Sequence, residues 1–168
     1  MTGASRGIGE ATARRFAREG ARVCLTDVKL EGALSTARQL VNEGMDAFAA
    51  RVDVTSRTEV ENAVKEIVDR YGRLDILVNN AGVTRDNLLY KMTDEDWRTV
   101  LNVHLGGAFL CTRAAQRHMV ERNYGRIVNV SSMGGKLTFP GAGYYHATKH
   151  AVEALSDAVF LINLAKSG

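Results

Sequence analysis

Thr2-Gly3-Ala4-Ser5-Arg6-Gly7-Ile8-Gly9 is a glycine-spaced turn that runs directly into a helical pattern. Main-chain N–H groups at the head of such a helix, together with its dipole, attract a pyrophosphate. The glycines permit the tight turn and let the backbone approach the ligand. An acidic residue about twenty positions further on, here Asp27 at a strand end, can accept hydrogen bonds from a ribose diol. Each feature alone is weak, because a glycine-rich loop is more often only a turn and an aspartate after a strand is commonly a helix cap. In a turn, helix, strand succession they point to dinucleotide binding by Gly3, Ser5, Arg6, Gly7, Ile8, Gly9 and Asp27. Asp27 should repel a 2′-phosphate and bond a free hydroxyl, since unit charges about 4 Å apart interact by several kcal/mol at intermediate dielectric. The Arg6 guanidinium pulls the other way, toward that phosphate. NAD is the expected cofactor, with NADP possible.

A second group of reactive side chains lies far along the chain. Tyr145 and Lys149 are four residues apart, which puts both on one helical face, and Ser132 stands where a loop after a strand can bring its hydroxyl beside them. Tyr144 lacks this partner, having Thr148 four residues on. His104, His118, His146 and His150 show no ligand spacing with carboxylates or thiols, so no metal site is expected. A serine hydrolase is also excluded, because the sequence has no Gly-x-Ser-x-Gly elbow.

The elements that must position these groups alternate between helical and strand patterns, the mark of a parallel sheet with crossover helices. A first helix is expected over about residues 7–19, with Ile8, Ala11, Ala13, Phe16 and Ala17 inward and Gly20 ending it. A buried strand over 21–26, a helix from Leu30 to a Gly44 cap, and a strand over 47–52 follow. Ser56 and Glu59 form a capping box for a helix that Gly72 closes. The strand at 74–78 runs into Asn79-Asn80-Ala81-Gly82, whose small and amide residues suit a backbone lying close to a ligand. Thr93 and Asp96 begin one long helix, 126–130 is a strand, and a last helix begins near Tyr145. That helix carries apolar residues on nearly every side, including Val152, Leu155, Val159, Phe160, Leu161, Ile162 and Leu164, which reads either as ordinary burial or as packing on a partner subunit.

With 168 residues, 45% of them hydrophobic and a net charge of +3 without runs of like charge, the composition is that of one globular domain, 1–168, with neither a nucleic-acid nor a membrane surface. No apolar stretch reaches the roughly eighteen residues of a membrane span and the N-terminus lacks a signal-peptide core, so the expected location is cytoplasmic. Cys24 and Cys111 lie apart in apolar surroundings and read as inert core thiols.

Together these motifs resemble the short-chain dehydrogenases/reductases over essentially the whole chain. The resemblance rests on Thr2 to Gly9, on Asp53-Val54 as an adenine-contacting pair, on Asn79 to Gly82, and on Tyr145-x-x-x-Lys149, in the family's order. Residues 83–132 look most like 3-oxoacyl-thioester reductases and 132–168 more like ketone and retinoid-type carbonyl reductases. The resemblance implies an NAD(P)-dependent oxidoreductase that interconverts a carbonyl and a secondary alcohol. It adds Asp53, Val54, Asn80, Ala81 and Gly82 to the cofactor contacts. Tyr145 would donate the proton to an oxygen becoming alkoxide, and a phenol is a poor base at neutral pH unless a cation such as Lys149 favours its anion. Lys149 would also bond the nicotinamide ribose, and Ser132, or less readily Ser131, would orient the substrate oxygen. Asn102 matches the position where an Asn opens the long helix around a water, although an Asn there can equally be a surface residue. A homo-oligomer, dimer or tetramer, formed through helices near 98–120 and 147–165, is implied, as is a small carbonyl or alcohol substrate.

The expected fold is an incomplete, doubly wound parallel α/β sheet of Rossmann type, lacking most of the first strand and the C-terminal strands. The glycine motif starts at residue 2 and the sequence stops at Gly168, ahead of the segment that covers the substrate in the family. Removing a central strand would leave its neighbours about 9–10 Å apart with unpaired backbone groups. The chain is read as a trimmed piece of a longer enzyme, as a truncated product using a partner's strands, or as an incomplete protein. The rival readings are a non-catalytic nucleotide-binding or oligomer-forming fragment, and a purely structural subunit.

Overall fold

Caps and glycines set the boundaries of the elements in the computed structural model, which describes residues 1–85 and 87–165, with side chains to Val159. Helix α1 spans Gly7–Arg18, β1 Val23–Asp27, α2 Leu30–Asn42, β2 Ala47–Arg51 and α3 Arg57–Tyr71. Strand β3 spans Ile76–Asn79, α4 Asp94–Leu101, α5 Gly107–Glu121, β4 Arg126–Asn129 and α6 Gly143–Ala165. Ser56 caps α3 by accepting from the Glu59 N–H, and Gly72 ends it in the left-handed conformation that a side chain would resist. The capping box is only half formed: the Glu59 carboxylate accepts from the Asp53 N–H at 2.9 Å and pairs with Arg51 at 2.8 Å. The apolar Phe160, Leu161, Ile162 and Leu164 of the last helix lie outside the described side chains.

Helices cover both faces of the sheet. Ala47 and Ala49 of β2 join a core with α1 and α2, whereas Ala50 and Val52 join a second core with Val60 and Val64 of α3 and Ala114, Ala115 and Met119 of α5. Successive strand residues point to opposite faces, so these two cores make the architecture doubly wound. The first helix differs from the expected pattern. Its buried stripe is Gly9, Ala13 and Ala17, while Ala11 is exposed and Ile8 is 69% exposed. Small residues four apart let the helix lie close to its neighbours and leave Ile8 at the open head of α1.

Two further differences have physical causes. The β3 ladder begins at Ile76 rather than 74, because Asp75 contributes only its carbonyl, to the Arg126 N–H at 2.8 Å. The expected long helix is divided by a π-helical turn at Asn102–Gly106, where Gly107 N–H reaches back to Asn102 O. Helix α6 starts two residues before Tyr145, at Gly143.

All pairings are parallel: β1 with β2, from Val23 opposite Ala47 to Asp27 opposite Arg51, and β3 with β4, from Ile76 opposite Arg126 to Asn79 opposite Asn129. Between β1 and β3 stand only Met1 and Thr2. Thr26 N–H donates to Met1 O at 2.9 Å and Thr2 N–H to Val78 O at 3.0 Å, which ties the two strand pairs together at their carboxyl ends. The expected gap is thus closed at the site end. Away from it a cavity of about 310 Å³ separates Val23 and Cys24 from Ile76 and Val78. The Met1 ammonium donates to Cys24 O at 3.1 Å, and burial lowers its pKa. Burial pushes the Cys24 and Cys111 thiols up to about 11, as fits inert core thiols.

The Thr2 hydroxyl is the pivot of this junction, accepting from Asn80 N–H at 3.0 Å and Ala81 N–H at 3.1 Å and donating to Val78 O at 3.3 Å. Thr2→Val keeps the shape and removes the acceptor from two N–H groups in a buried setting, at about 1–3 kcal/mol for each group left unsatisfied. Urea unfolding should show a clearly lower midpoint for Thr2→Val; an unchanged midpoint would contradict this account of the junction.

Candidate active site

Most groups singled out in the sequence stand at or just beyond the carboxyl end of a strand or at the head of α1, whereas Tyr145 and Lys149 stand on α6 and Asn102 in the π turn. Asn80 holds the glycine loop there: its side-chain amide donates to Thr2 O and Gly3 O, both at 3.0 Å. The approach is close enough that a Cβ on Gly9 would stand 2.1 Å from Gly3 O, and one on Gly3 would stand 2.8 Å from Ala81 Cα. Gly3 and Gly7 take φ of +62° and +61°, a region that favours glycine. Arg6 occupies the N-cap of α1 without a side-chain bond to the first turn, so the N–H groups there face outward for an anion.

Asp27 at the end of β1 accepts from Ser5 N–H at 3.0 Å through one oxygen and from Lys29 N–H at 2.9 Å through the other. It therefore fastens the glycine loop to the strand, and each carboxylate oxygen retains a lone pair for a ligand hydroxyl. Asp53, beyond β2, is engaged locally, accepting from Thr55 N–H at 2.9 Å and Thr55 Oγ1 at 2.7 Å. Val54 is buried and fills the space opposite Gly107, where a Cβ would lie 2.7 Å from its Cγ2.

On the other side, Ser132 opens a short 3-10 turn at Met133–Gly135, and its Oγ accepts from Gly134 N–H at 3.1 Å, leaving the hydroxyl hydrogen free to donate. Gly134 is packed against α6 so closely that a Cβ there would lie 3.3 Å from Tyr145 Cε1. This contact sets the Ser132 turn beside Tyr145. Lys149, one turn further on, stands with its Nζ 5.7 Å from the centre of the Tyr145 ring and donates to Val130 O at 2.7 Å. Burial lowers the Lys149 pKa, because desolvation penalises its charged form.

The structure adds a residue that the sequence reading passed over. His104, in the π turn, is 5% exposed and meets the Tyr145 ring edge-on, with centroids 5.5 Å apart. Its Nε2 lies 2.7 Å from Val83 O, and its ring packs on Gly82, where a Cβ would stand 2.8 Å from Cε1. One imidazole thus joins the Asn80 turn to the tyrosine. The signal was present in the sequence as a polar residue on the inward side of an otherwise apolar helix, two positions after Asn102. Asn102 itself opens the π turn, where the resemblance expects the helix to open, and it is exposed.

Gly3, Gly9, Asn80, Ala81 and Gly82 are thus gathered at one end of the sheet with Asp27, and Ser132, Tyr145 and Lys149 are gathered beside His104. Thr2, Ala81, His104 and Lys149 line one small cavity, so the two groups adjoin. Among the described residues no cluster of three or more His, Cys, Asp or Glu side chains suits a metal, and no helix is long and apolar enough to cross a membrane.

Comparison with known proteins agrees with this architecture. The family model described as short chain dehydrogenase matches residues 1–161. A 3-oxoacyl-(acyl-carrier-protein) reductase of Synechocystis sp. is 39% identical over 160 residues, covering 95% of this chain and 65% of the relative. The (2S)-((R)-hydroxy(phenyl)methyl)succinyl-CoA dehydrogenase subunit BbsD of Thauera aromatica is 39% identical over 170 residues, covering 100% of this chain and 67% of its own length. The crystal structure of a gluconate 5-dehydrogenase from Burkholderia cenocepacia, in complex with NADP and tartrate, superposes with a TM-score of 0.87 at 40% identity, covering 92% of this chain and 60% of that one. The chain spans about two thirds of the length of the curated relatives it matches.

Burial lowers the His104 pKa from its ordinary 6.5, and the neighbouring Lys149 charge acts in the same direction. As pH falls through 6.5 the unfolded chain takes up a proton that the folded chain resists, so stability is lost on acidification. Urea midpoints measured at pH 7 and pH 5 should fall less for His104→Leu than for the wild type; equal losses would show that His104 titrates as it does in water.

Proposed function

The chain belongs to the short chain dehydrogenase family, and on that premise we propose that it is an NAD(P)-dependent oxidoreductase interconverting a carbonyl and a secondary alcohol. The observation that carries the reading is the single face of α6 that holds Tyr145 and Lys149, with the Ser132 turn packed on the tyrosine and the glycine loop across the same strand ends.

The residues present fit a dinucleotide. The uncapped head of α1 and the close-packed Gly3 and Gly9 supply main-chain donors for a pyrophosphate, and Asp27 offers acceptors to a ribose diol. Arg6, Ile8, Asn80, Ala81 and Gly82 border the same place, and Asp53 and Val54 flank it from the end of β2. When bound, the nicotinamide supplies or takes up the hydride.

In the reducing direction the Ser132 hydroxyl donates to the substrate oxygen and orients it, and Tyr145 gives its phenolic proton to that oxygen as negative charge develops there. Lys149 holds its positive charge beneath the phenol and stabilises the anion left behind; in the oxidising direction the same charge lets Tyr145 take the alcohol proton. Asn102 contributes through the helix opening that begins at its own position.

Asp27, if it meets the adenosine ribose, would repel a 2′-phosphate and favour NAD, whereas Arg6 and the NADP bound to the gluconate 5-dehydrogenase favour NADP. The relatives act on acyl thioesters and on a sugar acid, so the substrate is proposed only as a small carbonyl or alcohol. Exposed Trp97, Phe109 and Val120 along α4 and α5 support association into a dimer or tetramer; a cytoplasmic location without nucleic-acid or membrane partners is supported by the scattered charge of the sequence.

Tyr145→Phe should leave NADH affinity within about twofold and reduce turnover of a carbonyl panel by at least about a hundredfold, the scale of a lost general acid. Rates like those of the wild type would remove Tyr145 from the chemistry. Fluorescence titration should show Asp27→Asn shifting the NADPH to NADH affinity ratio toward NADPH by about tenfold, the equivalent of about 1.4 kcal/mol. An unmoved ratio would mean that Asp27 does not read the ribose.

A further inference from the structure

Helix α6 does more at the site than carry Tyr145 and Lys149. Along it His146, Lys149 and Glu153 follow at intervals of three and four, which puts them on one face. The segment after Ser132 lies against that face. Beside Tyr145, Phe139 N–H donates to His146 Nδ1 at 3.2 Å, and a Cβ on Gly134 would stand 2.5 Å from His146 Cδ2. Further along the helix, a Cβ on Gly135 would stand 3.2 Å from both Lys149 O and Glu153 Cγ, and 2.6 Å from Ser131 Oγ.

Glu153 meets this segment from the far end. Its Oε2 pairs with Lys136 Nζ at 3.0 Å, and its side chain is 27% exposed against 68% for the lysine. Ser131 Oγ is buried and has no partner in ordinary hydrogen-bond geometry among the described residues. It nevertheless stands beside the same carboxylate: the Ser131 hydroxyl, ahead of Lys136, holds the Glu153 carboxyl below the usual carboxylate range. A small rotation of the carboxyl gives the hydroxyl its acceptor, and a buried hydroxyl left without one is costly.

We propose that Glu153 is a positioning residue: its carboxylate takes the Ser131 hydroxyl and the Lys136 ammonium, one from each side of the Ser132 turn, and pins that turn to α6. Attachment at His146 alone leaves the turn able to pivot. A second attachment about two helical turns along fixes its direction, and with it the direction of Ser132 Oγ relative to Tyr145 on the same helix. Such a device matters because a misplacement of about 1 Å can cost about a hundredfold in rate. Only the kinetic consequence rests on the catalytic reading above; the attachment itself does not.

The test uses the full chain labelled with 15N and reads hydrogen exchange amide by amide. Gly135 N–H and Leu137 N–H donate to Ser132 O and Met133 O, both at 2.9 Å, and Val52 N–H, just beyond β2, donates to Asp27 O at 3.0 Å. Glu153→Leu should speed exchange of the first two by at least about tenfold and leave Val52 within about twofold, the pattern of a local opening. Unchanged exchange at Gly135 and Leu137 overturns the attachment whether or not the chain turns over substrate. Should Glu153→Leu fail to fold, Ser131→Ala decides in its place: the same two amides should exchange at least about threefold faster, and unchanged rates overturn the attachment. In kinetics, Glu153→Leu should lower kcat by about tenfold or more with NADH affinity within about twofold, the pattern of a displaced catalytic group. Glu153→Gln, whose amide oxygen still accepts from Ser131, should recover most of the loss. An unchanged kcat in Glu153→Leu overturns the positioning role, whereas a wild type that protects these amides and reduces no carbonyl overturns only the catalytic reading.

Discussion

The Asn80 side chain and the Thr2 hydroxyl form one hydrogen-bonded knot between the start of the chain and the end of β3, and the site depends on it. Asn80 donates to two carbonyls of the glycine loop while Thr2 accepts from two N–H groups of the Asn80 turn. The exchange is reciprocal, so neither segment keeps its conformation without the other. It joins the β1–β2 pair to the β3–β4 pair and holds the glycine loop at the head of α1. The glycine loop and the sheet junction thus share the same few atoms, in a buried place where each unpaired donor is costly.

Residues more than 140 positions apart meet because every strand is parallel. Parallel pairing sends all carboxyl ends to one side, and Asp27, Asp53, Asn80 and Ser132 each follow such an end. The helices supply depth: α6 brings Tyr145 and Lys149 over the end of β4, and the π turn between α4 and α5 sends His104 inward.

Much of this could be read from the residues. Ser56, Gly72 and Gly44 announce helix ends through local chemistry that needs no distant partner, and the structure has them where the pattern put them. The parallel, doubly wound arrangement followed from alternating periods, and the spacing of Tyr145 and Lys149 set them on one face. What could not be read depended on distant partners. The Glu59 carboxylate left the capping box for Asp53 and Arg51, and Ile8 gave up the buried side of α1 to smaller residues. His104 shows in the sequence only as a polar residue on the inward side of its helix, which gives no role. Its role arises from Val83, Gly82 and Tyr145, brought to it by the fold.

Helix α1 fully buries only Gly9, Ala13 and Ala17, with the half-buried Phe16 packed beside them. Along so flat a stripe the fit depends more on distance than on shape. Over evolutionary time that stripe can exchange letters only within the smallest side chains, since any added bulk lifts the helix and carries the glycine loop with it. Arg15 and Arg18 on the outer side, both exposed, meet no such limit, whereas Arg14 is tied to Glu10 and across to Gln39 of α2.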